Sequence, residues 1–187
     1  MQKDMNSIRI SGGLLKGKKI DFDYRDNLRP TTNKLKEILF NWIQFDITDN
    51  YICLDLFAGT GSMGVEAISR GASKVFFIEL NKKHYQNIKK NISKLDLQDN
   101  AKLVFRDSFS WIQKNDLSKF DLIIIDPPFE KGFEEKILKQ ILKKNELKKS
   151  CKIYIEYSKF VDLELPNTVN VIKEKKLGDV RALLIEI

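Results

Sequence analysis

From Tyr51 to the C-terminus, strand-like and helix-like patterns alternate, and this alternation constrains the fold more than any other feature of the sequence. Seven segments have the pattern of strands, and helical stretches separate the first five: YICLDLF, KVFFIEL, AKLVF, FDLIIID, CKIYIEY, VNVIKEK and RALLIEI. Several are nearly continuous apolar runs, which are typical of parallel strands covered by helices on both faces. The last two leave no room for a helix between them, which predicts an antiparallel pair. The chain is therefore predicted to form a doubly wound α/β sheet.

The segment before this alternation has a different pattern. Residues 7–24, SIRISGGLLKGKKIDFDY, contain two short strand-like pieces around glycines, which predicts a hairpin-like extension. A helix is predicted after LRPTT, where Thr31 or Thr32 can cap it and an apolar stripe begins at Leu35. We therefore expect an N-terminal extension over residues 1–30 and one main domain over residues 31–187.

The net charge of +7 bears on the choice of partner. Excess lysine and arginine favours a polyanion, nucleic acid first, although lysines that only solvate helix faces explain part of the same excess. Cys53 and Cys151 lie in predicted strands without metal-ligand spacing, and His84 is the single histidine, so neither a metal site nor a histidine triad is expected. The start, MQKDMNSIRI, lacks the apolar core of a signal peptide, and no apolar run reaches membrane length. We expect a cytoplasmic protein without membrane contact.

A glycine-rich loop follows the first strand of the main domain. In LDLFAGTGSMGVEAI, the spacing of Gly59, Gly61 and Gly64 is G-x-G-x-x-G, and a helix is predicted to begin within it. Glu79 ends the next strand, about 20 residues beyond, where a carboxylate that binds ribose hydroxyls is expected. Strand, loop, helix and acid together predict a cofactor site, and the same physics serves several nucleoside cofactors.

Asp55 distinguishes between these cofactors. It ends the first strand, just before the glycine loop, and should face the same pocket. A carboxylate is badly placed beside the diphosphate of a nicotinamide cofactor, which prefers the N–H groups of the helix N-terminus. S-adenosylmethionine carries an ammonium group, a sulfonium and no phosphate. The residues therefore favour S-adenosylmethionine.

Asp107 and Ser108 follow the third strand of the main domain. Asp107 is positioned to accept a hydrogen bond from the adenine amino group at the carboxyl edge of the sheet. It could equally cap the next helix, and Ser108 competes for that role. The sequence is compatible with both interpretations.

The segment DLIIIDPPFEKGF ends a buried strand in Asp126-Pro127-Pro128-Phe129, which we call the clamp. Prolines lack a backbone N–H and fix φ, so they end the strand and make the loop after it rigid. The Asp126 carboxylate and the Pro127 carbonyl can accept both N–H groups of an exocyclic amine and turn its lone pair toward a methyl group. Phe129 can stack on a base that has left its helix. The clamp therefore predicts methyl transfer to an amino nitrogen.

The glycine loop, Glu79 and the clamp together resemble Rossmann-like S-adenosylmethionine-dependent methyltransferases. The clamp is similar to the (D/N)PP(F/Y) motif of enzymes that methylate exocyclic amines, a motif common to adenine-N6, cytosine-N4, guanine-N2 and protein-glutamine enzymes. IRISGGLLKGKKI, LRPTTNKLKEILFNWI and DLFAGTGSMGVEAISRGA resemble the bacterial family that methylates guanine 966 of 16S rRNA at N2. The similarity runs from about Ile8 to the C-terminal strand.

The resemblance implies a monomeric, metal-free enzyme that acts on 16S rRNA in the small ribosomal subunit or its assembly intermediate. The cofactor-binding residues that it implies are Asp55, Phe57, Ala58, Gly59, Thr60, Gly61, Glu79, Leu80, Asp107 and Ser108. The implied catalytic residues, which would bind the target guanine, are Asp126, Pro127, Pro128 and Phe129. The implied RNA-binding residues are Arg9, Lys16, Lys18, Arg29 and Thr31. Lys18, Lys34 and Lys36 stand where arginine is common in the family, which keeps the charge but loses bidentate phosphate geometry.

Two alternatives are compatible with parts of this pattern. A DNA amino-methyltransferase would share the clamp, but the short chain lacks an evident sequence-reading domain. A non-catalytic RNA-binding assembly factor would share the fold, but it would not need an intact Asp126 and glycine loop. A nicotinamide oxidoreductase is more distant, because Asp55 is unfavourable beside a diphosphate.

Overall fold

The computed structural model describes residues 5–23, 33–128, 132–144 and 146–187. These residues form nine strands and five helices: β1 Met5–Arg9, β2 Lys19–Asp23, α1 Asn33–Trp42, β3 Ile52–Asp55, α2 Ser62–Ser69, β4 Lys74–Glu79, α3 Lys82–Lys94, β5 Ala101–Phe105, α4 Ser108–Lys114, β6 Leu122–Ile125, α5 Phe133–Leu142, β7 Lys152–Ser158, β8 Asn170–Leu177 and β9 Val180–Glu186. All seven predicted strands of the main domain are confirmed, and so is the N-terminal hairpin. The predicted caps Thr31 and Thr32, and the predicted boundary between residues 30 and 31, lie outside the described residues.

The main sheet has seven strands in the order β5-β4-β3-β6-β7-β9-β8. β3 to β7 are parallel, while β9 is antiparallel to both β7 and β8. The predicted doubly wound α/β sheet with an antiparallel last pair is confirmed, with β9 inserted between β7 and β8. The chain leaves β3 toward β4 on one side and returns to β6 on the other. Ligands of such sheets bind at this switch point, beside the carboxyl ends of the strands.

Each face of the sheet carries its own apolar core, which explains the continuous apolar runs in the sequence. Along β6, Leu122 and Ile124 point into the core that also contains α1, α2 and α3 side chains. Ile123 and Ile125 point into the opposite core, together with side chains of α4 and α5. A strand covered on both faces needs no polar alternation. Among the described residues, no helix is long and apolar enough to cross a bilayer.

A buried ionic cluster attaches the N-terminal hairpin to the main domain. Its centre is Glu66 on α2, which accepts hydrogen bonds from the Ser11 N–H at 2.9 Å, the Ser11 hydroxyl at 2.7 Å and Arg70 Nε at 2.9 Å. Lys36 Nζ lies 3.2 Å from Glu66 and donates to the Arg9 carbonyl at 2.9 Å. These bonds satisfy a carboxylate and an ammonium that burial would otherwise destabilise strongly. Lys36 is fully buried, so the suggestion that it replaces a phosphate-binding arginine is wrong.

Candidate active site

Four neighbouring strands, β4, β3, β6 and β7, lead into acidic residues at one edge of the sheet: Glu79, Asp55, Asp126 and Glu156. We call these four the carboxylate row. Asp55 pairs with Phe77 on one side and with Ile124 on the other, so the acids of β4 and β6 lie two residues further along their strands. Because side chains alternate along a strand, all four continue the face that carries Cys53, Phe77, Ile124 and Tyr154.

Asp55 is a buried acid of the row that bonds directly to the glycine loop. Its side chain is 2% exposed, and its Oδ2 accepts the Gly64 N–H at 3.3 Å. Burial raises the pKa of Asp55 to about 7, and the negative charges of Asp126 and Glu79 add to this rise. A neighbouring cation would have the opposite effect and hold this carboxyl in its ionised form.

The glycine loop between β3 and α2 needs glycine at two places for different reasons. Gly61 is the N-cap of α2 and has φ 79°, a left-handed conformation that side chains disfavour. A Cβ at Gly64 would lie 2.2 Å from the ring of Phe77, so this glycine allows close packing of α2 against β4. Ala58 and Thr60, also predicted to bind the cofactor, are buried beside this turn.

Glu79 joins the end of β4 to the glycine loop. Its Oε2 accepts the Gly59 N–H at 2.7 Å, and its Oε1 accepts the Asn81 N–H at 2.6 Å. The two elements that the sequence places about 20 residues apart are therefore in direct contact. Leu80, the next residue, is 63% exposed at the same edge, so its side chain offers an apolar surface beside Glu79.

His84 is a neighbour of Glu79 that the sequence pattern did not reveal. Its Nδ1 lies 3.8 Å from Glu79 Oε1, and its Nε2 is buried without a hydrogen-bond partner in the part of the chain that the structure describes. The available signal was the Asn81 cap, which accepts the Lys83 and His84 N–H groups and starts α3 at Lys82. A histidine in the first turn after Glu79 folds back toward that strand end.

Of the two candidates for capping the helix after β5, the structure selects Asp107. Asp107 is the N-cap of α4, and its Oδ2 accepts the Ser110 N–H at 2.8 Å. Ser108 is the first residue of that helix, is buried, and donates its hydroxyl to the Leu56 carbonyl. The capping interpretation of Asp107 is therefore correct, and its position at the end of β5 keeps it at the ligand-binding edge.

The clamp begins directly after β6. Asp126 is half-buried, Pro127 is buried and Pro128 is exposed, whereas Phe129 lies outside the described residues. Beyond the effect of burial, the charge of Asp126 contributes to the raised pKa values of Asp55 and Tyr154. The register of β6 against β3, together with the alternation of side chains, places Asp126 on the same side of the sheet as Asp55.

An aromatic cluster connects the loop after β3 with the first turns of α4 and α5. Phe57, predicted to bind the cofactor, stacks on Phe133 with ring centroids 6.3 Å apart and an interplanar angle of 19°. Phe109 meets the same Phe133 edge-on at 5.2 Å. These contacts hold the loop after β3, the start of α4 and the start of α5 together beside the site.

Glu156 is the second residue of the site that the sequence pattern did not reveal. It is 2% exposed on β7, and its Oε1 accepts the Tyr154 hydroxyl at 2.7 Å. The signal was present in CKIYIEY, where a glutamate interrupts an otherwise apolar buried strand. Buried charged residues are rare, and they cluster at functional sites.

The donor and acceptor content of this edge limits the ligands that fit. Carboxylates accept hydrogen bonds only and attract cations, so the row suits a ligand with ammonium, hydroxyl and amino groups. A diphosphate would face Asp55 and Glu79 and be repelled. Within the described residues, no group of three or more histidine, cysteine or acidic side chains is arranged to hold a metal ion.

The predicted RNA-binding residues that the structure describes are on the hairpin. The side chains of Arg9, Lys16 and Lys18 are exposed. A shallow depression of about 260 Å³ lies between the hairpin and α1, and its lining consists of Arg9, Ile10, Ser11, Lys16, Gly17, Asn33 and Glu37. Arg29 and Thr31 lie outside the described residues.

Comparison with known proteins gives consistent matches along most of the chain. Residues 8–186 match the family model described as Conserved hypothetical protein 95. The ribosomal RNA small subunit methyltransferase D of Buchnera aphidicola subsp. Acyrthosiphon pisum is 37% identical over 179 residues, which cover 96% of this chain and 93% of that protein. The protein of the same name from Haemophilus influenzae is 37% identical over 173 residues, with coverages of 91% and 89%.

A solved structure supports the same grouping. The protein yhhF of Escherichia coli, described as a methyltransferase, superposes with a TM-score of 0.86 and 30% identity, over 97% of this chain and 98% of that chain. The similarity therefore includes the hairpin as well as the main sheet.

Proposed function

Because this chain belongs to the family of the ribosomal RNA small subunit methyltransferases D, we propose that it methylates the exocyclic N2 of a guanine in 16S rRNA, with S-adenosylmethionine as donor and guanine 966 as the expected target. The family makes the chain an rRNA methyltransferase, and the donor, base and nucleotide are our proposal. One observation supports it most strongly. The clamp follows the strand next to Asp55, so an acceptor for an amine and an acceptor for a cation face the same side of the sheet edge.

The residues at the glycine loop fit S-adenosylmethionine, which supplies an electrophilic methyl group on a positively charged sulfur. Asp55 would bind the ammonium group, Glu79 the ribose hydroxyls and Asp107 the adenine amine. Gly59 and Gly61 would let the backbone approach the ligand closely. The remaining predicted contacts would line the same pocket: Phe57, Ala58, Thr60, Leu80 and Ser108.

The clamp would position the target amine. An exocyclic amine is a poor nucleophile because its lone pair is delocalised into the ring. The Asp126 carboxylate and the Pro127 carbonyl accept its two N–H groups and direct the lone pair toward the methyl group. Pro127 and Pro128 keep these acceptors rigid, and Phe129 stacks on the base. The nitrogen becomes acidic as its new bond forms, so Asp126 can accept the leaving proton without being a strong base.

The hairpin would contact the RNA around the target. Arg9, Lys16 and Lys18 present positive charge on the exposed side of a hairpin that the Glu66 cluster fixes to α2. Lysine and arginine bind phosphates with little sequence preference, which suits a protein that recognises a folded RNA. We expect a monomer that acts in the cytoplasm on the small ribosomal subunit or its assembly intermediate.

A radiolabelled-methyl assay tests this proposal directly. The chain is incubated with labelled S-adenosylmethionine and small ribosomal subunits from cells that lack its gene, and the rRNA is digested to nucleosides. Label in N2-methylguanosine of 16S rRNA is the expected result. Label in adenine or cytosine would overturn the guanine assignment. No label despite measurable cofactor binding would favour a non-catalytic assembly factor.

Glu79→Ala is expected to weaken S-adenosylmethionine binding about 10- to 100-fold, since hydrogen bonds to a charged group contribute about 1.5–3 kcal/mol. Titration calorimetry measures the change. Glu79→Gln is the matched control, because its amide oxygen still accepts a loop N–H; it should lose less affinity. An unchanged dissociation constant in Glu79→Ala would contradict the ribose assignment.

A further inference from the structure

Glu156 has no role in the methyl transfer proposed above. We propose, on the basis of the function proposed above, that Glu156 accepts the N1–H of the target guanine. In this way Glu156 would select guanine over adenine and cytosine. The clamp alone does not make this selection, because all three bases carry an exocyclic amine.

The strand register places Glu156 beside the clamp. β6 and β7 are parallel neighbours, and Ile124 pairs with Tyr154 while Ile125 pairs with Ile155. The next position along the two strands is Asp126 beside Glu156. Neighbouring strands are about 4.8 Å apart, a spacing at which two adjacent side chains can reach adjacent atoms of one base edge.

The orientation of Glu156 is set by Tyr154. The Tyr154 ring is fully buried, and its hydroxyl donates to Glu156 Oε1 at 2.7 Å. Burial raises the pKa of Tyr154, and the charges of Glu156 and Asp126 add to this rise, so the three groups lie within one electrostatic neighbourhood. A carboxylate has about four acceptor positions and can accept several hydrogen bonds at once.

The burial of Glu156 matches that of the other acids proposed to meet a ligand. Glu156 and Asp55 are each 2% exposed, and Glu79 is 8% exposed. Low exposure is therefore a shared property of these three members of the carboxylate row and does not set Glu156 apart as a purely structural residue.

The chemistry of the base edges explains the selectivity. In guanine, N2 stands next to N1–H, so an amine and a ring donor lie side by side. In adenine the ring atom beside the N6 amine is N1, and in cytosine the atom beside the N4 amine is N3; both carry lone pairs. A carboxylate beside the clamp binds the guanine donor and repels the lone pair of the other two bases. A well-formed base contact discriminates by about 1–3 kcal/mol, or roughly 5- to 150-fold.

The test combines one enzyme variant with one base analogue. Small subunits are reconstituted with 16S rRNA that carries either guanine or 2-aminopurine at the methylated position. 2-Aminopurine keeps the N2 amine but has a lone pair at N1. Methyl transfer is measured as kcat/KM for wild type and Glu156→Gln, whose amide can still accept the Tyr154 hydroxyl and can donate to N1.

Wild type is expected to prefer guanine over 2-aminopurine by about 10- to 100-fold, and Glu156→Gln by less than about threefold. Most of this change in preference should come from a lower kcat/KM of Glu156→Gln on guanine. Equal guanine preference in wild type and variant would overturn the inference and leave Glu156 as a structural residue. A wild type that leaves guanine N2 unmethylated would instead overturn the proposed function, and the inference with it.

Two controls distinguish a loss of base selection from a structural effect of the Glu156→Gln substitution. Tyr154→Phe removes the hydroxyl that holds Glu156 but keeps the carboxylate, so it should lower the rate while retaining the guanine preference. The S-adenosylmethionine affinity of Glu156→Gln should stay within about threefold of wild type, because the residue lies beyond Asp126 from the glycine loop. A guanine preference lost equally in both variants would show that only the packing of β7 matters, which also overturns the inference.

Discussion

Asp126→Ala is expected to lower kcat for methyl transfer to small ribosomal subunits by about 100- to 1,000-fold, the size of effect seen when one preorganised polar group is removed from an active site. The affinity for S-adenosylmethionine should stay within about threefold of wild type. The reason is that the acids of the carboxylate row lie beside different parts of the site. Asp55 and Glu79 contact the glycine loop, whereas Asp126 begins the clamp after β6.

The matched control is Asp116→Ala. Asp116 is an exposed carboxylate before the amino end of β6, at the opposite edge of the sheet, and it accepts hydrogen bonds from Ser118. This variant should keep wild-type activity. Single-turnover rates and calorimetric affinities measured on both variants would distinguish the two roles. A large loss of cofactor affinity in Asp126→Ala would contradict the assignment of Asp126 to the target base.

The affinity for S-adenosylmethionine is expected to fall as the pH decreases below about 7, by up to about tenfold for each pH unit. Burial and the charges of Asp126 and Glu79 raise the pKa of Asp55 to about 7, and the cofactor ammonium requires the ionised carboxylate. An α-amino group has an ordinary pKa of about 7.7–8.0, so the affinity should be greatest between these two values.

Methylthioadenosine provides the control ligand. It has the adenine and ribose but no ammonium group, so its affinity should not follow the titration of Asp55. Asp126→Ala adds a second check, because removal of one negative neighbour should shift the pH dependence of S-adenosylmethionine binding to lower pH. Parallel pH profiles for both ligands would rule out the ammonium role of Asp55.

The same pKa has a consequence for stability without ligand. An unfolded Asp55 loses its proton near its ordinary pKa of 3.8, while the folded protein retains it to about pH 7. Between these values the folded state binds more protons, so this group makes stability decrease as the pH rises. The shift of about three pKa units, at about 1.36 kcal/mol each, bounds the loss at about 4 kcal/mol.

Asp55→Asn should therefore stabilise the ligand-free protein at pH 8 and have little effect near pH 4, with a rise of several degrees in Tm at the higher pH. Thermal unfolding at the two pH values measures this difference. A destabilised variant at pH 8 would contradict the assigned cost of burying this charge.

Local order along the chain was enough to predict one part of the site. The glycine loop follows β3 directly, Glu79 ends β4, and the prolines end β6 after Asp126. Each of these placements depends on a residue and its near neighbours in sequence. Arg29, Thr31 and Phe129 lie outside the described residues, so their predicted roles stay predictions.

A second part depended on contacts between distant segments. Lys36 looks like a surface lysine in the sequence, but it is buried, where it pairs with Glu66 on α2 and donates to the Arg9 carbonyl. Glu156 looks like an isolated charge in a strand, but the β6–β7 register places it beside Asp126. Asp107 was compatible with adenine binding and with capping α4; the geometry of the helix start shows that it caps, and the adenine contact stays a prediction.

The sequence by itself determined the parallel α/β sheet, the antiparallel last pair, the glycine loop and the clamp, because apolar periodicity and glycine and proline constraints act over a few residues. Only the tertiary structure decided which acids share a face, how far the pKa of Asp55 rises and which lysine is buried. These properties depend on the register between strands far apart in sequence and on the exclusion of water by the packed core, and neither is encoded in a local pattern.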